Sequence, residues 1–220
     1  MNRDLSRSRA ILIGNAGYRP AGIPDLLAAR GCVNAMRELL TGPLCGWPAE
    51  RVTTLVDLDT SSELASRVVD VLGDVEDVLL LYYVGHGLRT GEGQLALAVG
   101  QTDPHPELRA HTGMLYENLA KILRGCRAAT KLVILDCCHA ELGNKANYLF
   151  QSADIADAYP VDGLYFIGAS ARDKQAKTPL DGELTYFTDA LISVVNSRIP
   201  LSTGSGRLAR SSRARTSRKI

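Results

Sequence analysis

Lys131-Leu-Val-Ile-Leu-Asp-Cys-Cys-His-Ala140 decides how the chain is read. Its first half is apolar and β-leaning, and it breaks off at Asp136-Cys137-Cys138-His139. An apolar run this short, bounded by polar residues, predicts a buried central strand of a parallel sheet. In open α/β sheets, ligands and chemistry gather at the carboxyl ends of the strands. This strand would deliver an acid and two adjacent thiols to that edge.

Asp77-Val-Leu-Leu-Leu-Tyr-Tyr-Val84 repeats the design upstream and runs into Gly85-His86-Gly87. A histidine between glycines is expected at an exposed tight turn, where backbone can approach a substrate closely. Two parallel strands ending at one sheet edge would set His86 near Cys138. A thiol with an imidazole in reach makes an activated nucleophile. Side chains alternate between the faces of a strand, so only one of Cys137 and Cys138 can share a site with His86.

Tyr83-Val84-Gly85-His86-Gly87 followed by Leu135-Asp136-Cys137-Cys138-His139-Ala140 resembles the histidine and cysteine boxes of the caspase-like peptidases. The likeness is to the metacaspase and bacterial caspase-like branch, whose cysteine box runs Asp-x-Cys-His-Ser/Ala-Gly. True caspases carry Gln-Ala-Cys with the histidine about 50 residues upstream. The spacing here is similar, but the glutamine is missing. The resemblance covers roughly residues 9 to 197.

It implies an α/β fold, a three-layer sandwich with a mostly parallel central sheet flanked by helices. It implies a cysteine endopeptidase acting on protein or peptide substrates, with a role in bacterial stress, defence or programmed-cell-death signalling. The family pattern selects Cys138 as nucleophile. His86 would serve as general base and then protonate the leaving amine. The backbone N–H of Gly87, with that of Cys138, would form the oxyanion hole.

Asp136 takes the position that lines the S1 pocket in metacaspase-like enzymes, so cleavage after Arg or Lys is expected. A carboxylate in an enclosed pocket suits a guanidinium, which it can bind in bidentate fashion. Ala169-Ser170-Ala171-Arg172-Asp173-Lys174-Gln175 resembles the pocket-wall strand and loop, which gives Asp173 a part in shaping S1.

The sequence also departs from the family pattern. Metacaspases carry a second pocket acid as Gly-Cys-x-Asn-Asp, whereas Gly31-Cys32-Val33-Asn34 is followed by Ala35. Glu141 stands where the cysteine box has glycine. No cofactor is expected to be required. Calcium activates several metacaspases, and Asp154, Asp157 and Asp162 are candidates for it, though without EF-hand spacing. The rival readings are a catalytically inactive caspase-like interaction module and an enzyme that uses Cys138 on a non-peptide ester.

With 220 residues, 45% of them hydrophobic, one peptidase domain over 1–199 is expected. The net charge of +1 hides an asymmetry: residues 201–220 carry five Arg, one Lys and no acid. That low-apolar tail, 200–220, is expected to be disordered. Having no aromatics beside its arginines, it reads as a linker to a fused effector module or a processing site rather than a nucleic-acid contact. Five cysteines at irregular spacing suggest neither a disulfide framework nor a zinc site. The charged start and the short apolar run after it predict no signal peptide and no membrane span, hence a reduced, cytoplasmic protein.

The remaining elements follow from pattern. Strands are expected at 10–13, 51–56 and 164–167, with extended backbone at 94–99. Helices are expected at 26–40, stopped by Gly42-Pro43, then after a cap at Ser61 or Ser62, at 116–124 and at 184–195. Gly14-Asn-Ala-Gly17 lacks the spacing of a phosphate loop. His105 and His111 fall in a Pro-rich surface stretch, and 141–162 reads as a long loop.

Overall fold

The apolar runs become strands because each spans a sheet once and is apolar on both sides. In the computed structural model, residues 4–139, 158–168 and 183–197 are described. Among the described residues seven strands form one sheet: β1 Arg9–Gly14, β2 Val52–Val56, β3 Val78–Arg89, β4 Leu95–Leu97, β5 Met114–Leu115, β6 Thr130–His139 and β7 Leu164–Gly168. The helices are α1 Ala28–Thr41, α2 Ser61–Asp70, α3 Pro106–Thr112, α4 Tyr116–Arg124 and α5 Tyr186–Asn196.

Five strands run parallel in the order β2-β1-β3-β6-β7. β1 stops at Gly14, opposite Val84, which frees that edge of β3. β4 takes it over, pairing antiparallel with Gly87–Arg89, and β5 follows β4. This antiparallel extension holds the histidine box in register.

Alternation along the strands divides the core in two. Ile13, Leu81, Tyr83 and Leu135 pack with Leu64 and Val68 of α2 and with Leu119 and Leu123 of α4. Leu12, Tyr82, Val84 and Ile134 pack on the other face with Cys32, Val33 and Met36 of α1 and with Phe187 and Leu191 of α5. The result is the expected three-layer α/β sandwich. Each fully buried Leu or Ile contributes about 1.5–3 kcal/mol, so the two faces together carry most of the stability.

Local signals explain the helix limits. α1 ends at Gly42, whose N–H donates to the Glu38 carbonyl. α2 is capped by Thr60 rather than by Ser61 or Ser62. The Thr60 hydroxyl accepts the Glu63 N–H at 3.1 Å, while Glu63 Oε2 accepts the Asp59 N–H at 3.1 Å. That near-reciprocal pair satisfies two orphan donors and outcompetes either serine. The Pro-rich stretch is a short helix, α3, because Pro106 sits at its first position, where a missing N–H costs nothing.

Among the described residues no helix is long and apolar enough to cross a membrane. The loop over 141–157, the pocket-wall stretch 169–175 and the tail 200–220 lie outside the described residues.

Candidate functional site

The parallel β3–β6 ladder pairs Tyr82 with Ile134, Val84 with Asp136, His86 with Cys138 and Gly87 with His139. Positions 86, 136 and 138 therefore share the sheet face that carries α1 and α5. Cys137 faces the other way. It is 5% exposed and belongs to the core cluster with Tyr83 and Leu135.

His86 does not lie at an exposed turn. It is an internal residue of β3, 9% exposed, because β4 and β6 extend the ladder past it on both sides. The flanking glycines answer to packing on the opposite face. A Cβ on Gly87 would stand 3.0 Å from Cys137 Sγ and 3.3 Å from Leu95 Cδ1. A Cβ on Gly85 would run into the Tyr83 hydroxyl. That hydroxyl donates to the Ala98 carbonyl at 2.8 Å and lies 3.1 Å from the His86 carbonyl.

Two residues of the loop after β1 hold His86. The imidazole Nε2 lies 2.8 Å from the Pro24 carbonyl. A carbonyl can only accept, so Nε2 carries the proton and Nδ1 keeps its lone pair. The Tyr18 ring packs on the imidazole with centroids 5.0 Å apart, and its hydroxyl accepts the His86 backbone N–H at 3.1 Å. Burial pulls the His86 pKa below its usual value, against the opposing pull of the Pro24 hydrogen bond. The fold thus favours the neutral ring.

Asp136 is 2% exposed and is met by hydroxyls alone among the described residues. Its Oδ2 accepts from Thr188 Oγ1 at 2.6 Å, from Thr185 Oγ1, and from the Tyr82 hydroxyl at 3.3 Å. Burial raises its pKa, and the Thr185, Thr188 and Tyr82 hydroxyls only partly offset this. Thr185 is the N-cap of α5, and its N–H donates to Cys32 Sγ at 3.2 Å. The carboxylate therefore anchors the start of α5 to the sheet, two positions before Cys138.

The Gly-rich turn after β1 is no phosphate cradle. The N–H groups of Ala16 and Gly17 donate to Asp57 Oδ1 at 2.7 and 3.3 Å. Arg30 pairs with Asp57 Oδ2 at 2.6 Å. Burial pulls the Asp57 carboxyl up, but the Ala16 and Gly17 amides and Arg30 outweigh it and leave it below the ordinary range.

Asp173, Asp154, Asp157 and Glu141 lie outside the described residues, as do the side chains of Cys138 and His139. Asp162 is exposed, and its carbonyl accepts from Lys131 Nζ at 3.1 Å. Among the described residues no group of three or more His, Cys, Asp or Glu could hold a metal ion.

Pro24, Tyr18, Thr185 and Thr188 have no signature of their own in the sequence. The nearest signals are the proline at the end of a Gly-rich loop and the hydroxyls bordering the last helix.

Solved structures with this arrangement confirm the fold. Protein GSU0716 of Geobacter sulfurreducens aligns with a TM-score of 0.60 at 16% identity, covering 88% of this chain and 83% of that one. Caspase-1 from Spodoptera frugiperda aligns with a TM-score of 0.59 at 15% identity, covering 87% of this chain and 69% of that one. No curated protein matches the sequence significantly. The sequence model of the caspase domain family matches residues 7–205, and with the fold and the two boxes in place the chain belongs to that family.

Proposed function

We propose that the protein is a cysteine endopeptidase with Cys138 as nucleophile and His86 as general base. Membership in the caspase domain family supports a cysteine-protease type of function and a protein substrate. The observation that carries the finer reading is the β3–β6 register, which pairs His86 with Cys138 on one sheet face. Proton transfer needs the imidazole lone pair within hydrogen-bond reach of the thiol, directly or after a small shift. The Pro24 contact leaves that lone pair on Nδ1.

In this mechanism Nδ1 takes the Cys138 proton, the thiolate attacks the scissile carbonyl, and the imidazolium protonates the leaving amine. Water then hydrolyses the thioester, with His86 again as base. The backbone amides of Gly87 and Cys138 are proposed to hold the oxyanion; one such donor is worth about 3 kcal/mol in comparable sites.

For S1 we propose Asp136 as the reader of a P1 Arg or Lys, with Asp173 shaping the pocket. A buried carboxylate met, among the described residues, by hydroxyls alone is short of positive charge, which a P1 cation supplies. Because Asp136 is 2% exposed, the Thr185 end of α5 must yield to admit it. Calcium is proposed only as a modulator, to be tested by adding and chelating it.

The test is a fluorogenic peptide panel with P1 Arg, Lys, Asp and Leu, run on wild type and Cys138→Ala. Cleavage of the Arg and Lys peptides that vanishes in Cys138→Ala is expected. Cleavage after Asp alone would overturn the pocket assignment. Activity that survives in Cys138→Ala would overturn the mechanism.

A further inference from the structure

A pocket of about 380 Å³ opens beside the His86 support, lined by Gly17, Tyr18, Arg19, Asp25, Arg30 and Asp57, with Asp59 and Gly100 at its side. It sits past the carboxyl ends of β1 and β2, since Gly17–Arg19 follow β1 and Asp57 and Asp59 follow β2. The Arg19 N–H bonds to the Gly100 carbonyl and the Gly100 N–H to the Leu58 carbonyl, which ties the walls together.

Strand order gives the pocket a direction. Across the sheet edge the sequence is Cys138 on β6, His86 on β3, then the Tyr18 loop after β1. In acyl transfer the group that protonates the leaving amine must stand on the leaving-group side of the thiol. The substrate segment on the amine side of the scissile bond therefore departs across His86, away from β6 and β7. Tyr18, whose ring packs on His86, also lines the pocket.

We infer that this pocket is the subsite for the primed residues of the substrate, and that it favours basic side chains there. The inference rests on the peptidase reading above. The charges set the preference. Arg30 is bound to Asp57, whose other oxygen is taken by the Ala16 and Gly17 amides. Arg19 is bound to Asp59 at 2.5 Å. Asp25 is the third carboxylate, and its Oδ1 accepts the Tyr18 N–H at 3.0 Å. Three carboxylates face two guanidiniums, so the lining carries a net negative charge that a primed Lys or Arg neutralises.

Peptides with a common P1 Arg, and with Lys, Ala or Glu at both P1′ and P2′, test this on the full-length protein. In wild type, kcat/KM for the Lys peptide should exceed that for the Glu peptide about two- to fivefold at low salt, the scale of exposed charge pairs, and the gap should narrow as salt is raised. Asp25→Asn keeps an acceptor for the Tyr18 N–H while removing the charge, and should bring the Lys-to-Glu ratio towards one. Asp59→Asn, which leaves Arg19 without its carboxylate, should shift the ratio towards Glu. If wild type cleaves all three peptides equally, or if the ratio in both variants stays at the wild-type value, the subsite falls while the peptidase reading stands. If folded wild type cleaves none of them and none of the P1 Arg, Lys, Asp and Leu panel either, both fall.

Discussion

The imidazole Nε2 of His86 donates to the Pro24 carbonyl at 2.8 Å, across 62 residues of sequence. That single bond fixes a tautomer, because a carbonyl oxygen has no proton to give. Nδ1 is then the basic atom, and the Tyr18 ring keeps the imidazole from turning. The loop after β1 thus decides which nitrogen can take a proton.

The first prediction is a pH dependence of stability. Burial favours the neutral imidazole in the fold, so the folded pKa lies below the ordinary 6.5. As the pH falls through 6.5, the unfolded protein binds a proton before the native one does. His86 therefore contributes stability that is present above the ordinary value and is lost as the pH falls to and through the lowered one. Urea denaturation between about pH 7 and pH 5 should show a steeper loss in wild type than in His86→Gln. Parallel curves for the two proteins would contradict a neutral, buried His86.

The second prediction separates the adjacent thiols. Cys138→Ala and His86→Ala should each lower kcat/KM at least about a thousandfold with the fold retained by circular dichroism. Cys137→Ala should keep most of the activity, since Cys137 faces the core beside Tyr83 and Leu135. An inactive Cys137→Ala beside an active Cys138→Ala would reverse the assignment.

The two boxes were legible in the sequence for a physical reason: buried parallel strands are nearly continuous apolar runs, and their ends are abrupt. That only one of the two thiols can share a face with His86 followed from strand alternation, the family resemblance chose Cys138, and the register pairs it with His86. The setting of His86 did not. Gly85-His86-Gly87 has turn composition, yet it is strand because β4 and β6 extend the ladder past it, and the glycines leave room for Tyr83 and Cys137. Nor could local pattern give Thr185 and Thr188 as partners of Asp136, since that pairing exists only once α5 has docked on the sheet. Pro24 was hidden for the same reason, as its role is carried by a backbone carbonyl that any residue possesses.

The third prediction concerns Gly87. If its lack of a side chain answers to packing, Gly87→Ala should destabilise by about 1–3 kcal/mol, the usual cost of overfilling a core. The clash is with Cys137 Sγ, at 3.0 Å from the added carbon. Removing that sulfur with Cys137→Ala should recover part of the loss, a coupling of at least about 0.5 kcal/mol in a double-mutant cycle. Denaturant midpoints of the four proteins give the answer directly. Strict additivity would mean that the glycine is needed for some other reason, such as the conformation its amide adopts.

The last prediction tests Asp136 as reader and as anchor. Burial raises its pKa, so the fold favours the protonated form. A raised carboxyl pKa contributes stability that is fully present below the unfolded value and is lost as the pH rises through the folded one. Asp136→Asn, neutral at every pH, should therefore flatten the dependence in the acid range without loss of fold. The same substitution removes the charge a P1 guanidinium would meet, and losing one partner of a partly buried charge pair costs about 2–5 kcal/mol. Cleavage after Arg should therefore fall by a factor of tens to thousands, and cleavage after Leu far less. The measurement is kcat/KM on matched P1-Arg and P1-Leu peptides with both proteins. Equal losses on both substrates, alongside the flattened pH dependence, would make Asp136 an anchor for α5 through Thr185 and Thr188 and nothing more.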